Sequence, residues 1–555
     1  MNSYLKLAVL AALIPAAGIQ AAEPDIDTLQ NTATVAARRQ IDVPDDEELR
    51  KLQSRIGRIE IQVDEVFEDS DPLAAPYRLA NALHIATRQE AVQAQLLFKS
   101  GDPFDRRILD ETERNLRARR YLNDAEIEPV RYNDDGTVDV VVRVHDVWTL
   151  VPSFSFSRKG GTNSSEVEIE DSNLLGLGKE VSLEKSSDVD RDTWRVLYGD
   201  PNLFGSRWRL AVAYFDSSDG GEQAVRLARP FYSLDSRWSL GVTASDATAA
   251  VSRYSLGKVV QQIEQQRRQF DLGGGISHGL QAGWVRRYLG GVHYEDTTFA
   301  AQPDEPFAAV PATRTLAYPW LGIEVIEDQF RTTRNLDQIG RTEDLQLGRS
   351  ARLELGLAST ALGSTRDALV LNGALRSGAQ WNDTQFLTGA MELRGRFENG
   401  EVRGGQLDFT TRYHLRQSPR RVFFGSVRTS IAANLDPEEQ LLLGGDNGLR
   451  GYPLRYQAGT ARALVTLEER FYTNWQILKL LNVGAAVFFD AGRTWGRDQF
   501  APKPVGWLKD IGAGLRFGSA RSGLGNVIHV DLAYALDGTR DIDKLQLVIG
   551  TQRSF

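Results

Sequence analysis

The 555-residue chain contains no cysteine. That excludes disulfides and thiol chemistry, and it suits the periplasmic side of a bacterial envelope. Past its first residues the chain also lacks any uninterrupted apolar run long enough to cross a bilayer as a helix. If it resides in a membrane, it must do so as a closed β-barrel, because open strand edges and loops cannot face lipid. A formal net charge of −9 provides no electrostatic footprint for a nucleic-acid partner. The histidines at 84, 145, 278, 293, 414 and 529 show no metal-ligand spacing, so neither metal nor cofactor is expected.

What is present is order along the chain. Lys6, the apolar residues 7–19 and the small pair Ala21 and Ala22 read as a signal peptide over 1–22. Residues 23–56 read as a polar linker with a short charged helix over 45–56. From 57 to 148 the pattern mixes periods. Ile59, Ile61 and Val63 alternate as in a strand, whereas Val92, Leu96 and Leu97, then Ile108, Leu109, Thr112 and Leu116, fall at helical spacing. Two more strands are expected around a turn at 133–136. The order β-α-α-β-β suffices for one small core.

From 149 to 555 the helical period disappears, and polar and apolar residues alternate to the C-terminus. A turn repeats at a spacing of 29 residues. Asp171, Asn173 and Gly176 return as Asp200, Asn202 and Gly205, and Pro201 is followed by Pro230. Each copy separates an incoming strand from an outgoing one. The last five strands are expected near 461–472, 481–491, 508–517, 526–535 and 544–555. Residues 261–269 and 331–347 are irregular, so the tally lies between 16 and 20 strands. The expected fold is mainly β, a transmembrane antiparallel barrel preceded by one small α+β domain.

Residues 444–453 concentrate glycine around one arginine, with Gly448 and Gly451 flanking Arg450 and Tyr452. Glycine permits positive φ and close backbone approach. An ordinary exposed loop is the plainer alternative. An inward-folded loop at 436–460 would instead offer Arg450 to lumen carboxylates, which its planar fork binds bidentately. Candidates are Asp490, in a strand with Phe488 and Gly492, and Glu468. On the strand around 463–471, Leu464, Thr466 and Glu468 share one face while the more apolar Val465, Leu467 and Glu469 share the other. Glu468 is therefore the lumen candidate. The terminal strand ends in Phe555, as an outer-membrane assembly signal would. Gly275, Ser277 and Gly279 fit a nucleophile-elbow spacing, but the flanks lack the strand–turn–helix context that this motif needs. No catalytic residue is expected.

Leu449, Arg450, Gly451 and Tyr452, with residues 488–492, resemble the loop and receiving strand of the BamA/TamA-type (bacterial surface antigen) superfamily. The α+β unit resembles a POTRA domain, with residues 116–122 at the end of its second helix. The resemblance implies a barrel of about 16 strands whose first and last strands pair weakly. It implies Arg450 anchored against Asp490, with Glu468 as second partner. It also implies a non-enzymatic protein of the outer membrane that assembles or translocates polypeptides. Its partners would be the bilayer with its lipopolysaccharide, an unfolded or secreted client, and the machinery that inserts the barrel. A partner-specific two-partner secretion pore and a passive channel are the alternatives. A single POTRA domain departs from the several that assembly members usually carry.

Overall fold

The structure, a computed structural model, describes residues 43–64, 66, 84–302, 309–477, 481–502, 506–519, 526–538 and 542–553. The expected signal peptide and Phe555 lie outside these.

The N-terminal unit contains α1 (Asp46–Lys51), β1 (Arg55–Asp64), α2 (Gln89–Gln93), α3 (Arg106–Arg117), β2 (Leu122–Tyr132) and β3 (Thr137–Asp146). Its sheet has the order β1-β3-β2, with β1 and β3 parallel. The central strand β3 alternates strictly, so Val138, Val140, Val142 and Val144 are all fully buried. Helix α3 starts at Asp105, whose carboxylate accepts from the Arg107 N–H at 3.0 Å. It buries Leu109, Thr112 and Leu116 against the sheet at helical spacing. The segment expected as linker contributes too, since Leu49 of α1 is fully buried in this core.

The rest is a closed barrel of 20 strands. They are β4 (Leu150–Lys159), β5 (Thr162–Asp171), β6 (Glu180–Ser187), β7 (Asp192–Asp200), β8 (Arg209–Ser217), β9 (Gly220–Arg229), β10 (Trp238–Ser255), β11 (Lys258–Gln281), β12 (Trp284–Ala301), β13 (Arg314–Glu327), β16 (Ser350–Ala358), β17 (Ala368–Asn382), β18 (Gln385–Glu398), β19 (Glu401–Ser418), β20 (Arg421–Ala433), β23 (Ala461–Ile477), β24 (Leu481–Trp495), β25 (Leu508–Ser519), β26 (Asn526–Ala535) and β27 (Leu545–Arg553). Two small hairpins stand apart from the barrel wall: β14 (Phe330–Arg334) with β15 (Thr342–Gln346), and β21 (Leu441–Leu443) with β22 (Gln457–Gly459).

The expected number of about 16 is therefore corrected to 20. Two stretches obscured the count, which lies at the upper end of the tally of 16 to 20. Residues 261–269 are a largely polar part of the 24-residue β11, which exposes Phe270, Leu272 and Ile276 after it and Val259 and Val260 before it. Residues 331–347 form the β14–β15 hairpin between β13 and β16 and are not wall strands. Along the wall, alternate residues such as Phe154, Ile169, Leu183, Val212, Leu321, Leu353, Leu515 and Leu532 expose large apolar side chains. An exposed apolar band this extensive marks a surface made for an apolar solvent.

The repeated turns have matching backbones. Leu175 and Phe204 both take positive φ, 57° and 53°. In each turn the asparagine N–H is held by the preceding aspartate, Asn173 by Asp171 at 2.9 Å and Asn202 by Asp200 at 3.0 Å. These turns and the one at 230–237 form the barrel end on which the α+β unit sits. Arg88 N–H bonds to Gly176 O at 2.9 Å, Asn173 Nδ2 to Thr87 Oγ1 at 2.8 Å, and Arg107 Nη2 to Asp235 Oδ2 at 2.6 Å. Glu111 of α3 accepts from Leu234 N–H at 2.7 Å, and burial raises its carboxyl pKa above the usual range.

Candidate functional site

The connection from β20 to β23 folds into the lumen from the end opposite the α+β unit. Asp436 is gripped by Arg396, with contacts of 2.7 and 3.0 Å, and lies 3.3 Å from Arg314. The β21–β22 hairpin carries the loop inward, and Arg455 at its return reaches Asp190 in the turn between β6 and β7 at 2.7 Å. The loop thus crosses from one side of the wall to the other.

Arg450 sits at its centre and is 7% exposed. Nε donates to Asp490 Oδ2 at 2.7 Å and Nη2 to Asp490 Oδ1 at 3.0 Å, the two-pronged geometry that suits guanidinium. Nη1 donates to Glu468 Oε1 at 2.7 Å and to Asp531 Oδ2 at 3.3 Å. The guanidinium carbon lies 3.4 Å from the centre of the Phe488 ring, which adds a cation–π contact. A buried cation is tolerated here because it has acceptors on three strands.

The flanking residues explain why the loop has this composition. A Cβ at Gly451 would come within 2.7 Å of Asp510 Cβ and 3.1 Å of Ala535 N. Gly448 takes φ of 122°, and a Cβ there would collide with Leu464. Tyr452 is fully buried, and its hydroxyl contacts Lys509 O at 2.8 Å and Asp537 O at 3.1 Å. Gly492 makes room for Leu443, Leu449 and Leu464, which pack into one cluster with Tyr452.

The structure brings together Arg450, Gly448, Gly451, Tyr452, Asp490, Glu468, Phe488 and Gly492. Glu469 lies on the other face of β23 and pairs with Arg421 at 2.6 Å. Three residues escaped the sequence reading. Asp531 joins Arg450 from β26, Arg516 pairs with Asp531 from β25, and Arg470 Nε donates to Glu468 Oε2 at 2.9 Å. A signal for Asp531 existed, since it alternates with the apolar Val530 and Leu532 on the buried side of its strand. Ser277 lies in barrel strand β11, and its hydroxyl donates to Arg286 O at 2.8 Å. Among the described residues one carboxylate trio, Glu166, Glu168 and Glu184, is close enough to hold a cation. Ser182 and Arg195 already engage two of its members.

The wall is least continuous where its ends meet. Among the described residues, strands β27 and β4 are registered by a single pair, Ile549 with Arg158. Among the described residues every other neighbouring pair of barrel strands is registered over at least seven residues. The inward loop abuts this junction, for Leu454 and Pro453 leave no room for a Cβ at Gly160 in the turn after β4.

Residues 84–146 match the POTRA family model, described as surface antigen variable number repeat. The α+β unit is a POTRA domain. No curated protein sequence matches the chain. Among solved structures, CdiB from Acinetobacter baumannii is 14% identical, with 90% of this chain and 73% of that one covered and a TM-score of 0.44. CdiB from Escherichia coli is 12% identical, with coverage of 90% and 76% and a TM-score of 0.48. BamA from Haemophilus ducreyi lacking POTRA domains 1–3 is 12% identical, with coverage of 89% and 84% and a TM-score of 0.37. Identities and scores are all low, and the barrel rests on the pairing of its own strands.

Proposed function

We propose that the protein is a BamA/TamA-type outer-membrane barrel that assembles or translocates polypeptides, with its POTRA domain in the periplasm. The observation that carries this reading is the one-pair junction between β27 and β4, beside a loop pinned across the lumen by Arg450. A barrel built only as a passive pore gains nothing from a weak seam. A protein that exchanges strands with a client needs one, because an unpaired strand edge is a template for another chain.

The POTRA domain lies at the mouth where a periplasmic client arrives. Extended chains bind sheet edges through backbone hydrogen bonds with little sequence demand. On β2, Ala125 O, Ile127 N–H and Ile127 O are already engaged by Arg117, Glu113 and Arg106. The other edge strand, β1, is engaged as well, at Ile56 by Asp102 and Gly101, at the Arg58 N–H by Asp139 and at Ile61 O by Gln89, so strand addition requires one of these contacts to give way. Neither nucleotide nor metal enters this scheme. The loop holds the lumen closed at rest, and the seam gives the client a lateral way into the bilayer.

The test places photo-crosslinking side chains along β4 and β27 in cells, with depletion of the protein as the parallel arm. Trapped outer-membrane or secreted polypeptides, and their loss on depletion, support the reading. An unchanged outer-membrane proteome and secretome after depletion sink it.

A further inference from the structure

The connection between β13 and β16 is longer than a turn requires. It forms the β14–β15 hairpin, and this hairpin is fastened at two places. Its outer part is bound to the POTRA domain. Arg117 of α3 holds Asp344 through Nε at 2.8 Å and Nη2 at 2.7 Å. Arg341 donates to Leu122 O at 3.1 Å, Thr342 donates to Asp124 at 2.8 Å, and Arg114 stacks 4.0 Å over Phe330. Its tip is bound to the lumen wall. Arg470 donates to Leu336 O at 2.8 Å and Asn482 to Ile339 O at 3.0 Å, while His414 lies 3.4 Å from Asp337. Ile339 packs with Val422, Tyr472 and Val527, which belong to three different wall strands.

A cavity of about 290 Å³ lies between this tip and the inward loop. Asp337 and Ile339 line it on one side, Gly448 and Arg450 on the other, and Val548 and Gly550 of the seam on a third. The chamber is thus bounded by the hairpin tip towards one end of the barrel and by the inward loop towards the other. One carboxylate serves both boundaries, since Glu468 accepts from Arg450 through Oε1 and from Arg470 through Oε2.

We propose that the β14–β15 hairpin is a stopper in the POTRA-side mouth of the barrel, held in place by the Arg117–Asp344 contact, so that displacement of the POTRA domain withdraws it. Apolar and polar anchors on the tip favour the seated state. The two-pronged contact at its base ties that state to the position of α3. The POTRA domain then senses an arriving chain and opens the chamber beside the seam in one movement. This inference concerns access to the lumen and holds whatever molecule passes through it.

The absence of native cysteine gives a clean test. Ser426 is buried and lines the chamber. Ser426→Cys in the full chain is reconstituted into liposomes with the POTRA domain outward, and its reaction with a bulky maleimide is timed. Two further variants carry Asp344→Asn or a short linker in place of residues 335–340, which leaves Arg341 on the POTRA domain, with barrel closure checked by heat-modifiability. Without the tip, labelling is expected to be roughly tenfold faster or more, and Asp344→Asn is expected to fall between that and the parent. An unchanged rate in the tip deletion overturns the stopper. A fast tip deletion with Asp344→Asn at the parental rate overturns its control by the POTRA domain.

Discussion

Replacing Arg450 by alanine removes the one cation that joins the loop to β23, β24 and β26 at once. The cost can be apportioned from the structure. Glu468 keeps Arg470, and Asp531 keeps Arg516. Asp490 is fully buried and, among the described residues, has no other ion pair. Stripping one partner from a buried pair typically costs about 3–5 kcal/mol. Because two of the three carboxylates retain cations, the expected local loss lies near the lower end, about 3 kcal/mol. The wall ladder does not involve this side chain, so the barrel should still close and stay heat-modifiable. The loss should appear as local opening of the loop. Amide exchange reads it directly at Leu449 and Tyr452, whose N–H groups bond within the loop to Gly444 O and Leu449 O. Exchange there should quicken by about two orders of magnitude, at one decade per 1.4 kcal/mol. Arg450→Lys retains charge but loses the fork, and should fall between. Parental protection in Arg450→Ala would refute the anchoring argument, because a freed loop cannot keep its amides closed.

Three further outcomes follow from other sites. Glu343 accepts from the Leu336 and Asp337 N–H groups at 2.9 and 3.0 Å, and burial, then nearby Asp337, push its pKa up to about 7. Its folded pKa is raised, so no charging cost exists below the unfolded value and the cost grows as pH rises from about 4.5 towards about 7. The β14–β15 hairpin should therefore be better protected from exchange at pH 5 than at pH 8, by up to about 3 kcal/mol, and Glu343→Gln should flatten that profile. Asp510 stands opposite Asp490 in register and is fully buried, so two carboxyl groups face each other in one pocket. Asp510→Asn should raise the heat-unfolding transition on gels by the equivalent of roughly 1–3 kcal/mol, and a lowered transition would contradict this. Leu109→Ala should destabilise the POTRA domain by about 2–5 kcal/mol, seen as earlier proteolysis of residues 84–146 in urea while the barrel remains closed.

Local regularities made part of this molecule legible in its sequence. Helix α3 and strand β3 each bury one face, and their apolar spacing shows which. The parity of β23 separated Glu468 from Glu469, and the structure sets Glu468 against Arg450. Parity works there because a strand must send neighbours to opposite sides. It failed for residues 261–269, a largely polar part of β11 in which neither face carries a run of apolar side chains. It failed again for residues 331–347, which are irregular in sequence because they form a hairpin that pairs only with itself.

The sequence by itself determined the order of the two units, the alternation of the wall, the repeated turn and the glycine-flanked arginine. Each is a short-range property, written as a period or as a demand for a residue without a side chain. Only the tertiary structure decided the number of strands, the weakness of the closing pair, and the gathering of Asp490, Glu468 and Asp531 around one guanidinium. Those depend on which distant strands become neighbours when the sheet closes, and closure is a condition on the whole ring that no local stretch records. The hairpin held between POTRA domain and lumen belongs to the same class, since its anchors lie as far as 227 residues apart along the chain.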